Sequence, residues 1–237
     1  MKAIVLIPAA GTGRRMGGAV SKQYLDLAGR PILAHTLSRF ENHPLIEHVF
    51  LIVPEDDITY CQHHIIQRYN FTKVRRLVSG GTTRQESVYN GIKALAEEQL
   101  DQPERPVLVH DGARPLFAVE QLEPLLEAIA AQGAAIIGVP VKDTIKEVDG
   151  GQIIGSPQRS RLWQAQTPQG AHYRLLNKAF RQALEDGFSG TDEASLLERI
   201  GTTVRMIEGD YRNIKVTTRE DLLVAAAFLE HEQGGPT

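Results

Sequence analysis

Three glycines and two arginines follow an apolar run in IPAAGTGRRMG, Ile7 to Gly17, and Lys22 comes five residues later in SKQYL. Bendable backbone combined with concentrated positive charge suits an anion. The glycines let backbone N–H groups approach closely, and Arg14, Arg15 and Lys22 bring charge that a plain turn does not want concentrated. Spacing narrows the choice. A P-loop needs G-x-x-x-x-G-K-[ST], and no lysine followed by Ser or Thr stands at that distance from a glycine. A dinucleotide turn needs G-x-G-x-x-G with an acid ~20 residues on, whereas the third glycine here arrives one residue late and Glu55 is the next strand-end acid. A triphosphate satisfies what remains. A surface turn with solvated basic residues is the competing reading, and the position of the loop behind a predicted first strand favours a ligand.

Three further stretches carry chemistry. In SGGTTRQES, Gly80 and Gly81 expose backbone donors and acceptors to a base, with Thr82, Arg84 and Ser87 at a helix start; an ordinary capped helix is the alternative. In HDGARP, Asp111 is the first acid beyond a strongly apolar strand, where its carboxylate can hold Mg²⁺ and Arg114 can clamp a phosphate. An N-cap role for Asp111 competes, but Pro115 interrupts the capped turn it requires. In NIKVTT, Lys215 precedes the last helix, where a lysine caps nothing; a solvated lysine is the alternative. The eight histidines are scattered and none stands at zinc-ligand spacing from a cysteine or acid, so no transition metal is expected. No nucleophile elbow is present.

These residues need a frame that gathers them. Short β-branched runs at Ala3–Ile7, Val49–Val53, Val74–Val78, Val107–Val109 and Ala135–Val139 read as strands. Between them, Pro31–Phe40, Asp56–Tyr69, Arg84–Glu98 and Val119–Gln132 read as crossover helices, with Gly133 as a stop. Such alternation predicts an α/β, doubly wound fold with a mostly parallel sheet, whose strand-ending loops all emerge at one edge. Thr191 is an N-cap candidate before Asp192 and Glu193, and Thr217 with Glu220 predicts a capping box ahead of DLLVAAAFLEHE. One segment departs from the alternation. Asp143 to Gln169 has period-2 runs on either side of Asp149-Gly150-Gly151, a hairpin signal. A ribbon carrying Ile145, Val148, Ile153, Ile154 and nearby Trp163 needs a surface to cover it. Packing on its own domain and exchange of arms between subunits both supply one, and the length of the arm favours exchange.

Composition sets the outer limits. With 237 residues and 42% hydrophobic content, one sizeable core suffices. A net charge of −3 without a long basic block argues against coating nucleic acid or an anionic membrane. The longest apolar runs are shorter than the ~20 residues that span a bilayer. Cys61 is the one cysteine and nothing near Met1 reads as a signal peptide, so a soluble, cytoplasmic protein is expected.

Taken in order, IPAAGTGRRMG, KQYL, GGTTRQESV, HDGARP, VKDTIK, RLWQAQTPQ, TDEAS and NIKVT resemble the motif set of the 2-C-methyl-D-erythritol 4-phosphate cytidylyltransferase family over nearly the whole chain. The resemblance implies a single Rossmann-like nucleotidyltransferase domain over residues 1–237, with a protruding β-arm at about 142–168 that joins a homodimer. It implies CTP and methylerythritol phosphate as substrates, Mg²⁺ as cofactor, and a place in non-mevalonate isoprenoid synthesis. Pro8, Ala9, Ala10, Gly11, Thr12, Gly13, Arg15 and Lys22 would hold the nucleotide phosphates, and Gly81, Thr82 and Ser87 the cytosine, with Asp111 and Gly112 beside them. Asp111 would hold the metal. The acceptor would contact Asp111, Arg114, Thr144, Thr167, Thr191 and Lys215, with Arg159 reaching in from the partner's arm. Ser21 stands where many members have proline, Gly112 where alanine is usual, and Thr82 where some relatives carry an acid.

The implied chemistry explains why no catalytic Ser, Cys or His is found. The attacking oxygen belongs to a phosphate monoester whose second pKa is near ~6, so it is ionised without a base. The difficulty is bringing two anions together, and Arg15, Lys22, Arg159 and Lys215 are the cations expected to act. A cytidylyltransferase acting on ribitol 5-phosphate and a non-catalytic nucleotide-binding protein are the alternatives.

Overall fold

The computed structural model describes residues 2–11 and 21–234. β1 (Ala3–Pro8) is the middle of the frame, and its residues Ala3 to Ile7 are fully buried although successive side chains point to opposite faces. Parallel neighbours flank it: β4 (Ile46–Val53), with β5 (Val74–Ser79) beyond, and on the other side β6 (Pro106–Val109). β10 (Trp163–His172) runs antiparallel between β6 and β7 (Ala134–Pro140), and β11 (Arg205–Glu208) closes the far edge parallel to β7. The order in the seven-stranded sheet is β11-β7-β10-β6-β1-β4-β5.

Because both faces of β1 are apolar, helices cover both. Ala3, Val5 and Ile7 meet Leu33, Leu37 and Phe40 of α1 (Ile32–Glu41), Cys61 of α2 (Ile58–Cys61) with the π-helical turn Gln62–Gln67 that continues it, and Leu125 and Ile129 of α4 (Leu122–Gln132). Ile4 and Leu6 meet Val88, Ile92 and Leu95 of α3 (Arg84–Glu97), Leu176 and Phe180 of α5 (Tyr173–Glu185), and Leu197 of α6 (Glu193–Arg199). α7 (Arg219–Gly234) seals a smaller cluster through Ala225 and Leu229 against Leu27 and Ile32; Leu27 belongs to a short hairpin of β2 (Asp26–Leu27) and β3 (Arg30–Pro31). No helix among the described residues is long and apolar enough to cross a membrane.

The predicted strands and crossover helices fall where the periodicity puts them, and Gly133 ends α4 at φ +87°, the left-handed conformation that favours glycine. The capping residues differ by one position. Asp192, not Thr191, caps α6 by accepting from Ser195 N at 3.0 Å, and Ser195 Oγ accepts from Asp192 N in return. At α7, Asp221 Oδ2 accepts from the backbone N of both Thr217 and Thr218, and Thr218 Oγ1 accepts from Asp221 N, so the box is Thr218–Asp221 rather than Thr217–Glu220. Asp supplies a shorter carboxylate that still reaches back, and the helix starts one residue later.

The hairpin is present but shorter than the alternation predicts. β8 (Glu147–Asp149) and β9 (Gln152–Gly155) form a separate two-stranded sheet around Gly150 and Gly151, whose φ values of +52° and +81° suit the tight two-residue turn. From Trp163 onward the chain has joined the main sheet as β10, buried from Gln166 to His172. Alternation cannot separate a free ribbon from a strand with neighbours on both sides, so Asp143–Gln169 reads as one arm. Val148, Ile153 and Ile154 are 58%, 65% and 67% exposed, although they are the apolar side chains of the ribbon.

Candidate active site

A cavity of about 480 Å³ opens at the carboxyl edge of β1, β5 and β6. Pro8 to Gly11, Gly81 to Thr83 and Asp111 to Ala113 form its walls, joined by Lys22, Gln23, Arg84, Ser87 and Lys215. Backbone bonds hold the loops together: Ala9 N donates to Ile52 O at 2.7 Å, Gly80 N to Val53 O at 2.8 Å and Gly112 N to Pro8 O at 3.2 Å. Two glycines permit this approach. A Cβ on Gly80 would lie 2.4 Å from Ala10 Cβ, and one on Gly112 would lie 2.9 Å from Ala9 Cβ. The second contact gives a steric reason for glycine at 112.

On the β5 side, Thr83 caps α3 by accepting from Glu86 N at 3.0 Å, while Ser87 Oγ accepts from Gly81 N at 3.0 Å and donates to Thr83 O at 2.8 Å. The capped helix start and the cavity wall are thus the same structure. Thr82 donates its backbone N and hydroxyl to Glu86 Oε2, both at 2.7 Å. Lys22 opens a 3₁₀ turn ending at Tyr24, whose hydroxyl lies 3.1 Å from Cys61 Sγ and whose ring stands edge-on to Tyr60. Ser21 before it has φ −59°, a value proline also imposes.

A charge network floors the cavity. Asp111, 6% exposed, accepts at Oδ1 from Arg84 Nε at 3.0 Å; Lys215 Nζ lies 2.9 Å from Oδ2 and Arg114 Nε 3.6 Å from it. Arg84 sends its other two nitrogens to Glu193, at 2.7 and 3.0 Å, and Glu193 is 1% exposed. Burial pushes the Asp111 carboxyl up, but Arg84, Lys215 and Arg114 outweigh it and hold the group well below the usual carboxylate range. Asp111 is therefore no helix cap, and Lys215 is no idle surface lysine. Beneath them, Asp111 N donates to Thr167 Oγ1 at 3.1 Å, and His110 lies between Thr167 Oγ1 and Arg114 O, each at 3.1 Å from one ring nitrogen. A carbonyl only accepts, so Nε2 of His110 carries the proton and Nδ1 accepts from Thr167. Burial against Phe40 and Phe117 pushes this histidine down to about 4, so it is neutral.

The family model for IspD, 2-C-methyl-D-erythritol 4-phosphate cytidylyltransferase, matches residues 3–231. The chain belongs to this family. It is 54% identical over 230 residues to the 2-C-methyl-D-erythritol 4-phosphate cytidylyltransferase of Syntrophotalea carbinolica, covering 97% of each chain. It is 47% identical to that of Geotalea uraniireducens, again over 97% of each. Among solved structures, 4-diphosphocytidyl-2C-methyl-D-erythritol synthase from Anaerococcus prevotii superposes with a TM-score of 0.82 at 31% identity, covering 97% of both chains.

As a member of the cytidylyltransferase family, the chain brings together many of the residues singled out in its sequence, but not all. Pro8, Ala9, Ala10, Gly11, Lys22, Gly81, Thr82, Ser87, Asp111, Gly112 and Lys215 line the cavity. Arg114 lies behind Asp111 and donates to Asn213 O at 2.6 Å; Thr167 is buried under the Asp111 backbone. Thr191 is exposed and lines a separate small hollow together with Arg84 and Glu193. Thr144 and Arg159 are exposed on the segment around the ribbon and do not line the cavity; Arg159 donates to Lys142 O at 3.0 Å. Thr12, Gly13, Arg14 and Arg15 lie outside the described residues. The partnership of Arg84 with Glu193 was missed, since the TDEAS motif reads as a helix start and the two residues stand 109 positions apart.

The donor set bears on Mg²⁺. Among the described residues no group of three or more His, Cys, Asp or Glu could hold a metal, and Asp111 is the one acid lining the cavity. One carboxylate facing a space lined by cations fits a Mg²⁺ that arrives on a triphosphate and keeps phosphate and water ligands. It does not fit a metal held by protein alone.

Proposed function

We propose that the protein is a cytoplasmic enzyme that joins CTP to 2-C-methyl-D-erythritol 4-phosphate, giving 4-diphosphocytidyl-2-C-methyl-D-erythritol and pyrophosphate for isoprenoid synthesis. Family membership supports the reaction, and one observation carries the site: Lys22, Asp111 and Lys215 converge with the Gly81–Thr83 loop and Ser87 on one cavity at the sheet's carboxyl edge.

The acceptor's ionised phosphate oxygen attacks the α-phosphorus, a new P–O bond forms, and the bond to the β-phosphate's bridging oxygen breaks. No proton needs removing. Lys22, with Arg15, meets the charge that builds on the α-phosphate, and Lys215 with Arg159 holds the acceptor phosphate in line. Gly81 and Ser87 form the wall against which the base would lie, held in place by the Gly81 N bond to Ser87 Oγ, with the Thr82 side chain turned to Glu86. Mg²⁺ on Asp111, when bound, neutralises triphosphate oxygens.

The 1–237 chain acts as one catalytic domain whose ribbon region reaches a second copy, so that Arg159 and Thr144 complete the partner's site. Exposed Val148, Ile153 and Ile154 support this, because a lone two-stranded ribbon gains little from showing them to water.

The test is pyrophosphate release from CTP and Mg²⁺ with each acceptor in turn. Turnover with 2-C-methyl-D-erythritol 4-phosphate and not with ribitol 5-phosphate is expected; preference for ribitol 5-phosphate would overturn the acceptor, and no release with any polyol phosphate would overturn the enzyme.

A further inference from the structure

Asp111 faces more positive charge than one carboxylate needs, and its two oxygens are held differently. Oδ1 is bound by a guanidinium that cannot turn freely, because the other nitrogens of Arg84 are both fixed on Glu193. Glu193 is the first residue of α6, inside the protein, and Arg84 is its ion-pair partner. Withdrawing Arg84 would strand a buried carboxylate. Oδ2 instead faces Lys215, an ammonium on a flexible stem whose side chain is 37% exposed.

We propose that Arg84, clamped by Glu193, is a positioning residue that locks Oδ1 of Asp111 and leaves Oδ2 as the oxygen presented to the nucleotide-borne divalent cation, with Lys215 giving way. This rests on the reading of Asp111 as the metal-holding residue. A planar fork spans two carboxylates at fixed angles, which a lysine at 84 could not do. The chain thereby carries the orientation of a β6 loop residue back to α6 through one side chain of α3. A purely architectural role would need only the link between α3 and α6.

The experiment measures Mn²⁺ binding by electron paramagnetic resonance in the presence of CTP, for the wild type, Arg84→Lys, Glu193→Gln and Asp111→Asn, with thermal unfolding of each as a check on folding. Partners that orient a metal ligand are worth about 10- to 100-fold in metal affinity. Arg84→Lys and Glu193→Gln are expected to weaken Mn²⁺ binding by about that factor, to raise the Mg²⁺ concentration for half-maximal turnover in step, and to recover much of kcat at saturating Mg²⁺. Should Arg84→Lys fail to fold, Glu193→Gln, which keeps the side chain's shape, carries the test. Unchanged Mn²⁺ affinity in a folded Arg84→Lys or Glu193→Gln, with binding lost in Asp111→Asn, would overturn the positioning role and leave the metal reading standing. Full affinity in Asp111→Asn would overturn both, whereas loss of turnover without a shift in Mg²⁺ requirement would reduce Arg84 to architecture.

Discussion

The cavity and the β8–β9 ribbon treat their side chains in opposite ways. Around the cavity Asp111 is held by Arg84 and Lys215, Arg84 by Glu193, and His110 by Thr167 and Arg114 O, all within a few ångströms of a packed sheet. The ribbon pairs only with itself in the sheet topology and shows Val148, Ile153 and Ile154 to solvent. The groups proposed to sit at fixed distances from reacting atoms stand at strand ends and helix starts packed on the sheet, where burial strengthens each electrostatic contact. The ribbon carries what one chain leaves uncovered, and the proposed second copy accounts for it.

Removing one cavity cation tests that contrast most severely. Lys22→Ala is expected to lower turnover by about 10²-fold or more with an unchanged unfolding temperature, read by pyrophosphate release. Near-normal kcat would remove Lys22 from the chemistry.

The foundation under the cavity should show itself in pH. Between about pH 6.5 and about 4 the unfolded chain binds a proton at His110 that the folded chain refuses. Stability from this group is therefore complete above about 6.5 and falls as pH drops, by roughly 3 kcal/mol across the window. Burial lowers His35 as well, with the same sign. Denaturant titrations of wild type and His110→Asn check it: the variant should have a shallower slope between those limits, and equal slopes would remove His110 from the acid response.

Cross-subunit action sharpens the comparison further. Equal mixtures of Lys22→Ala and Arg159→Ala subunits, unfolded and reassembled together, should regain roughly a quarter of wild-type activity, because half the dimers then hold one intact site. Mixed dimers that form and stay inactive would confine Arg159 to its own chain. The smallest effect belongs to the ribbon itself. Ile153→Ser with Ile154→Ser should change the protomer's intrinsic stability by no more than about 0.5 kcal/mol per substitution, yet convert the protein to monomers by light scattering. A ribbon variant that unfolds, or stays dimeric, would mean that these side chains cover their own domain or nothing.

Much of this was open to reading from residues alone. β-Branched runs and crossover helices are local, so the parallel core, the glycine loops and the cations behind strand ends are visible within a few residues of each other. Gly133 and the Gly150–Gly151 turn are legible for the same reason: their positive φ values belong to single residues. The limits of β10 were not legible, since alternation gives spacing but no neighbour, and only sheet pairing separates Trp163–His172 from the ribbon. Capping slipped by one residue because adjacent Thr and Asp side chains compete for the same backbone donors, and helix packing chooses between them.

By itself, then, the sequence determined the element order, the chemistry available at each strand end and the family. The tertiary structure decided which charges meet. Arg84 joins Asp111 from 27 residues away and Glu193 from 109, distances at which no periodicity operates. Such pairs form only once the core has closed the loops between them and excluded the water that would otherwise screen each charge separately.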